Sequence, residues 1–461
     1  MSVIPNNLFK KNPLFLQSAY PWLIVACGML FYCFNYFLRV SPSVMQPELT
    51  EAFHMNATQF GTLAAFYYYA YTSMQIPAGM LYDKFGVRFV LSAACLITCI
   101  GLSIFIIADS MLIAGCGRFL IGLGCAFAYI GTLKLASVWL PTNRFATVAG
   151  LATAIGMISG TLSQTYLTVV VQQVGYQEAL RSILFIGFLL SVFILLMVRN
   201  RPQSNASTNK PHLPVSISHL KKALRAIATH PQMWLIGLIG CLFYLPSSIF
   251  LDLWGIPYLR TVYGFTPTEA VALFSSMFYG WIISGPLIGA LSDKIQRRRS
   301  PLVFFGSLAA ILLCGVFYFP HLSLFALYVI FFLIGFCCGC QSLTFALGKE
   351  TNSIHISGTA VAVTNMLIML GGVVFQPIVG KLLDLHTSSS IGLNGLPIYS
   401  ASDYTFAMSV VPIGVAIGVI LCFFLKETYC ESQVLSEKEQ LFEPSLTVNA
   451  HAESAEGRRS F

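Results

Sequence analysis

The sequence predicts an all-α membrane protein whose twelve transmembrane helices form two pseudo-symmetric six-helix bundles. Three observations carry that expectation. The 461-residue chain is 56% hydrophobic and 10% charged, with a mean hydropathy of +0.75, whereas a soluble globular protein carries about 25% charged residues. A water-soluble fold cannot hide that much apolar side chain, so lipid must be the solvent. Apolar runs of membrane-crossing length recur along the chain on both sides of a polar stretch near its middle. The turn GMLYDKFGVR at 79–88 returns as GALSDKIQRR at 289–298, and its aspartates Asp83 and Asp293 are 210 residues apart (293 − 83), close to half the chain.

A span needs about 20 apolar residues, and such runs lie at 20–43, 57–80, 88–108, 111–139, 146–171 and 179–198. A second set follows at 232–258, 268–290, 301–320, 322–346, 357–382 and 404–426. In lipid the backbone must satisfy its own hydrogen bonds, and runs of this length do so as helices rather than barrel strands. The first run reads as a retained span, because no small-residue cleavage site follows it. The echo of FLIGLGCAF (119–127) in FLIGFCCGC (332–340), 213 residues on (332 − 119), extends the repeat beyond the turn.

Charge placement gives orientation. Of the 26 Lys and Arg, all but Arg39, Arg118, Lys134, Arg181, Arg260 and Lys381 fall on one side when both termini are placed in the cytoplasm. The net charge of +8 is thereby explained by topology, and no nucleic-acid partner is needed. The expected organisation is a cytoplasmic N-terminus (1–19), a first bundle (20–199), a cytoplasmic linker (200–231), a second bundle (232–427) and a cytoplasmic tail (428–461), in a multi-pass protein of the cell's inner membrane. The linker begins Pro/Ser/Asn-rich and turns amphipathic in SISHLKKALRAIATHP. There Leu220, Leu224 and Ile227 share a face and Lys221, Lys222 and Arg225 lie elsewhere, which suits a helix resting on an anionic leaflet. Nearly all of the thirteen cysteines sit inside apolar runs, where they read as small hydrophobes rather than a disulfide framework. The Cys337-x-x-Cys340 spacing has no clustered His beside it and reads as helix packing, so neither metal nor cofactor is expected.

The repeated turn joins the second and third spans, and its copy joins the eighth and ninth. Gly79 and Gly289 are expected to let helices approach closely, and Asp83 and Asp293 to pair with Arg88 and Arg297 as a latch that breaks and reforms when two halves rock. On these residues the chain resembles the major facilitator superfamily, whose loop signature G-x-L-(A/S)-D-(R/K)-x-G-(R/K)-(R/K) is matched by Gly79, Leu81, Asp83, Lys84, Gly86 and Arg88. In the second half Gly289, Leu291, Ser292, Asp293, Lys294, Arg297 and Arg298 match, with Gln296 in place of glycine. Arg118 followed by Gly122 resembles the fourth-helix signature, which implies that Arg118 holds local helix geometry. NYFLRVSPSVMQPEL (35–49), the stretch from Arg118 to Arg144 and LWGIPYLRTVYGFT (253–266) resemble the anion:cation symporter branch, whose N-Y-x-x-R is matched by Asn35, Tyr36 and Arg39. A basic residue five positions before W-(F/L)-P is matched by Lys134. The acids that some members of the branch carry at these two positions are replaced here by Leu38 and Cys125, so proton coupling does not follow from the resemblance. The fifth span lacks the Gly-Pro of drug antiporters.

An ionisable residue inside a span is expensive and is a functional candidate by default. Arg39 can grip a carboxylate with its planar fork, or snorkel to the headgroups. Lys134 is 16 residues beyond Arg118 (134 − 118), about 24 Å along a helix, so the two cannot share one ligand; Lys134 either lines a cavity or snorkels. Asp252, in SSIFLDLWGIP, can take a coupling proton, pair with Arg39, or sit at a water boundary. Asn35, Tyr36, Tyr244, Gln341 and Asn365 complete the candidate solute contacts, with Tyr68, Gln75, Gln164 and Gln376 as further neutral polar groups.

These residues predict a monomeric secondary transporter that imports a small carboxylate-bearing solute (an organic acid, amino acid or short peptide) with protons, by alternating access. A siderophore or drug exporter and a non-transporting membrane sensor are the alternatives. No G-x-x-x-x-G-K-[ST] loop and no soluble enzyme domain occur in the sequence, so neither an ATP-driven pump nor an enzyme is expected.

Overall fold

The computed structural model describes residues 13–141, 144–200, 217–319, 322–353, 356–386 and 395–431. Most of the expected N-terminal segment (1–12), half of the linker (201–216) and nearly all of the tail (432–461) lie outside the described residues. The order is α1 (Pro13–Val40), α2 (Gln46–Ala52), α3 (Ala57–Phe85), α4 (Val87–Ile107), α5 (Met111–Trp139), α6 (Phe145–Met197), α7 (Ile217–Ala228) and α8 (Pro231–Leu245). Then come α9 (Gly255–Val262), α10 (Pro267–Ile295), α11 (Arg299–Tyr318), α12 (Leu324–Cys338), α13 (Leu343–Glu350), α14 (Ser357–His386), α15 (Ala401–Met408) and α16 (Val410–Cys422).

Ten segments are long and apolar enough to cross a bilayer among the described residues. They differ from the twelve expected runs at two places. Thr147–Met197 is a single stretch of 51 residues, about 77 Å of helix against a hydrocarbon layer of about 30 Å, and it breaks at Gly175 (φ 81°, ψ 162°). It therefore covers two of the expected runs. Helix α3 is 29 residues long, but FYYYAYTSMQ dilutes its hydropathy below that of the others. Large apolar side chains such as Phe89, Leu112, Phe185, Phe304 and Phe325 are exposed around the outside, as lipid contact requires. The chain is an integral, multi-pass membrane protein.

The internal repeat is visible in the helices themselves. α3 and α10 are each 29 residues long, and both ends are offset by 210 (267 − 57 and 295 − 85). Each starts with a capping box, Asn56 with Gln59 and Thr266 with Glu269, which satisfies the first free N–H groups. Each stops at a residue of positive φ, Gly86 (80°) and Gln296 (50°). Gly86 also has ψ 154°, open only to glycine, whereas Gln296 has ψ 42°, a left-handed helical conformation that a side chain tolerates. That difference accounts for glutamine at the second position.

Helices α1, α3, α4, α5 and α6 pack on one another, as do α8, α10, α11, α12, α14 and α16; α3 meets α14 and α6 meets α10 between these groups. The α3–α14 seam depends on small residues. A Cβ on Gly61 would lie 2.4 Å from the Gln376 carbonyl oxygen, and one on Gly380 would lie 2.2 Å from that of Ala57. Both contacts lie at the ends of α3 and α14 remote from the repeated turns. At the end that carries the turns, here called the basic end, nothing lies within 4 Å of a Cβ on Gly79 or Gly289. The expectation of close approach at these two glycines is thus corrected: each faces open space rather than a neighbouring helix.

The amphipathic α7 also departs from expectation. Ala223 and Ile227 are buried, and α7 packs on α8 and α14. Its apolar edge is taken by protein rather than left for a leaflet, while Lys221, Lys222 and Arg225 face outward.

Candidate functional site

The site is built where α8 loses regular hydrogen bonding. Pro246 has no N–H to give, and Pro246–Trp254 continues as a buried π-helical segment. Two of its carbonyls are met by glutamines from other helices: Gln376 Nε2 donates to Ser248 O at 2.8 Å and Gln164 Nε2 to Leu251 O at 3.0 Å. Held in this way, the segment turns Asp252 inward to 1% exposure.

Arg39 comes from the last turn of α1 and is itself 6% exposed. Asp252 Oδ2 accepts from Arg39 Nε at 2.8 Å, from Arg39 Nη2 at 2.7 Å and from the Tyr68 hydroxyl at 2.6 Å. Arg39 Nη2 also donates to the Tyr244 hydroxyl at 2.7 Å and Nε to that of Tyr68 at 2.9 Å. Three rings surround the guanidinium, with centroids at 5.0 Å (Tyr36), 5.1 Å (Tyr68) and 5.4 Å (Tyr244), each placed for cation–π attraction. The second carboxylate oxygen, Oδ1, is buried with no donor. One oxygen of the acid is saturated while the other is left over. An unpaired buried polar group is costly, so such a site is poised to exchange partners.

Other candidates fall into separate places. Asn35 shares a helix face with Arg39, but both ends of its amide are taken: Tyr67 donates to Oδ1 at 2.5 Å, and Nδ2 donates to Cys125 O at 3.1 Å. In this state Asn35 therefore serves as a brace, with the Cys125 carbonyl as part of it, rather than offering a free amide to solute. Tyr36 offers its ring to Arg39 while its hydroxyl meets Met157 Sδ at 3.8 Å. Asn365 donates to Gln75 Oε1 at 2.9 Å across the α3–α14 seam. Gln341 lies in a 3-10 turn at Gly339–Ser342, buried, with Nε2 unpaired. Arg118 is buried under Tyr67 (5.2 Å) and donates to Leu38 O at 2.9 Å, capping the end of α1 one residue before Arg39.

Lys134 requires a larger correction. It lies near the basic end and pairs with Asp83 at 2.7 Å, both half exposed, too far along α5 to join Arg39. Asp83 therefore does not pair with Arg88, whose Nε donates to Leu195 O at 2.8 Å. In the second turn Asp293 pairs with Arg298 at 2.7 Å rather than with Arg297. The left-handed Gln296 reverses the chain so that Arg298 points inward, and Arg297 packs over Tyr429 (5.7 Å). Arg298 also binds Glu350 at 2.6 Å, and Thr428 donates to the same carboxylate at 2.6 Å. Burial would lower the Arg298 pKa, but bonds to Glu350 and Asp293 outweigh it and hold the group above its usual range. Sequence reasoning did not single out Glu350; its one sign is an acid beside Lys349 at the end of a span.

The chain is similar to known proteins in sequence and fold. Residues 25–376 fit the family model described as Major Facilitator Superfamily. A probable sulfoacetate transporter of Cupriavidus necator is 24% identical over 288 residues, 61% of this chain and 66% of that protein. A probable galactarate/D-glucarate transporter of Escherichia coli strain K12 is 23% identical over 400 residues, 79% of this chain and 89% of that one. The chain thus spans just under two-thirds of the first relative and most of the second. Among solved structures, a bacterial homologue of the human lysosomal transporter Spinster, in an inward-facing and unoccupied conformation, superposes with a TM-score of 0.69 at 17% identity, covering 89% of this chain and 96% of that one. With a family model matching well over half its length and the fold to go with it, this chain belongs to the major facilitator superfamily.

Proposed function

We propose that the chain is a secondary active transporter that imports a small carboxylate-bearing solute with protons, by alternating access between its two halves. The single observation that carries this reading is Arg39: a guanidinium buried between the halves, ringed by three tyrosines and neutralised by one acid, Asp252, from the other half. A solute carboxylate offers the same two oxygens that Asp252 offers, so it can take Arg39 and release Asp252. We assign the coupled proton to the Asp252 carboxylate that this exchange leaves without its counter-charge. Anion binding and protonation are linked by that exchange. The names of the two relatives, both transporters of organic anions, support the same solute class.

The open space beside Gly79 and Gly289 supports a state open at the basic end, which charge placement assigns to the cytoplasm. Asp83–Lys134 and Asp293–Arg298–Glu350 are paired in this state, each within one half, so closing that end would have to break or rearrange them. Asp83→Asn and Asp293→Asn should therefore slow transport severalfold while solute affinity at equilibrium changes little. Measuring turnover and binding on the same purified protein checks this, and wild-type turnover in both mutants would reduce the turns to topogenic charge. The reading as a whole is tested by uptake into proteoliposomes of carboxylates and sulfonates, with and without a pH gradient. Gradient-stimulated uptake of at least one organic anion is expected; uptake of neutral or cationic solutes alone would overturn it.

A further inference from the structure

The end of the α3–α14 seam remote from the turns carries a carboxylate that plays no part in the solute site. Asp384, in the last turn of α14, lies against the first turn of α3. Its Oδ1 accepts from the Ala57 N–H at 3.2 Å, and its Oδ2 accepts from the Thr58 N–H at 2.9 Å. The Thr58 hydroxyl donates to Oδ2 and the Tyr399 hydroxyl to Oδ1, while Tyr399 accepts from the Ala57 N–H at 2.9 Å. Tyr399 is delivered by the capping box of α15, where Asp403 accepts from the Ser400 N–H at 2.8 Å and meets His386 Nδ1 at 2.7 Å.

A long helix leaves its first N–H groups without partners. In α3 the third is met locally by the Asn56 side chain, whereas those of Ala57 and Thr58 are met by Asp384 from the other half. A carboxylate at a helix N-terminus gains from the helix dipole, and its bonds are charge-assisted. The glycine contacts along the seam only permit close approach, but these bonds hold the two helices together and must break if their remote ends separate.

We propose that Asp384 and Tyr399 form a clasp that keeps the remote end shut, and so act as positioning residues that set the balance between the two states of the transporter without touching solute. This rests on the alternating-access reading but not on the identity of the solute. The test is hydrogen–deuterium exchange on the full chain in lipid nanodiscs with no solute present, so its outcome is independent of whether a carboxylate binds. In Asp384→Asn, amides at 57–65 and 376–386 should exchange about tenfold to a hundredfold faster, and amides around 79–85 and 289–295 should exchange more slowly. Tyr399→Phe should shift both ends in the same directions by less, and it keeps the test available if Asp384→Asn does not fold. The opposite movement of the two ends is what a merely structural role would not produce. Faster exchange at both ends together, or no change at either, overturns the clasp.

Discussion

Arg39→Ala is expected to abolish measurable solute binding. The guanidinium is desolvated and held by a carboxylate and two phenols, and removing one partner of such a pair costs about 2–5 kcal/mol, which is roughly 30-fold to several-thousand-fold in affinity. Arg39→Lys keeps the charge but not the planar fork, so it should bind weakly rather than normally. The lysine also cannot reach Asp252, Tyr68 and Tyr244 from one fixed plane as Nε and Nη2 do. Equilibrium binding of whichever anion the uptake panel identifies provides the measurement. A carboxyl-amidated analogue of that anion serves as control: wild type should reject it, and Arg39→Ala should no longer tell the two apart. Wild-type affinity in Arg39→Ala would reduce Arg39 to an anchor and remove the carboxylate proposal with it.

Asp252→Asn should separate binding from coupling. The amide fills the same space and can still accept from Arg39 and Tyr68, but it can neither neutralise the guanidinium nor carry a proton. Accumulation driven by a pH gradient should be lost, while counterflow of solute against solute persists. Solute should bind more tightly and with less dependence on pH, because the internal carboxylate no longer competes for Arg39. The solute-free protein should be less stable, since removing one member of a buried ion pair costs about 3–5 kcal/mol, and added solute should restore much of the loss in a thermal melt. Full gradient-driven accumulation by the mutant would move coupling to another acid or to none.

Most of the fold was legible because membrane solvation imposes simple rules. Runs of apolar residues become helices in lipid, and the repeat of the turn at half-chain spacing is reproduced in two equal helices with matched caps and matched stops. The sequence shows that α3 lacks the hydropathy of its neighbours but not that it lies buried in the seam, because tyrosine reads as polar on a scale and packs as a large apolar ring. Nor could it show that α7 spends its apolar edge on α8 and α14.

The candidate site divides in the same way. By itself the sequence determined that Arg39 and Asp252 are charges placed inside spans, where lipid makes an unpaired charge prohibitive. It also determined that Asp83 and Asp293 occupy equivalent turns. Only the tertiary structure decided who meets whom. Asp252 reaches Arg39 because a π-helical segment rotates it inward and glutamines from two other helices hold that segment. Asn35 is consumed by Tyr67 and Cys125, Lys134 goes to Asp83, and Arg298 rather than Arg297 turns toward Asp293 and Glu350. Spacing along one helix fixes which face a residue is on, to within one turn. Which partner lies opposite depends on how helices hundreds of residues apart cross, and on irregular backbone such as Gln296 and Pro246 that no periodicity records.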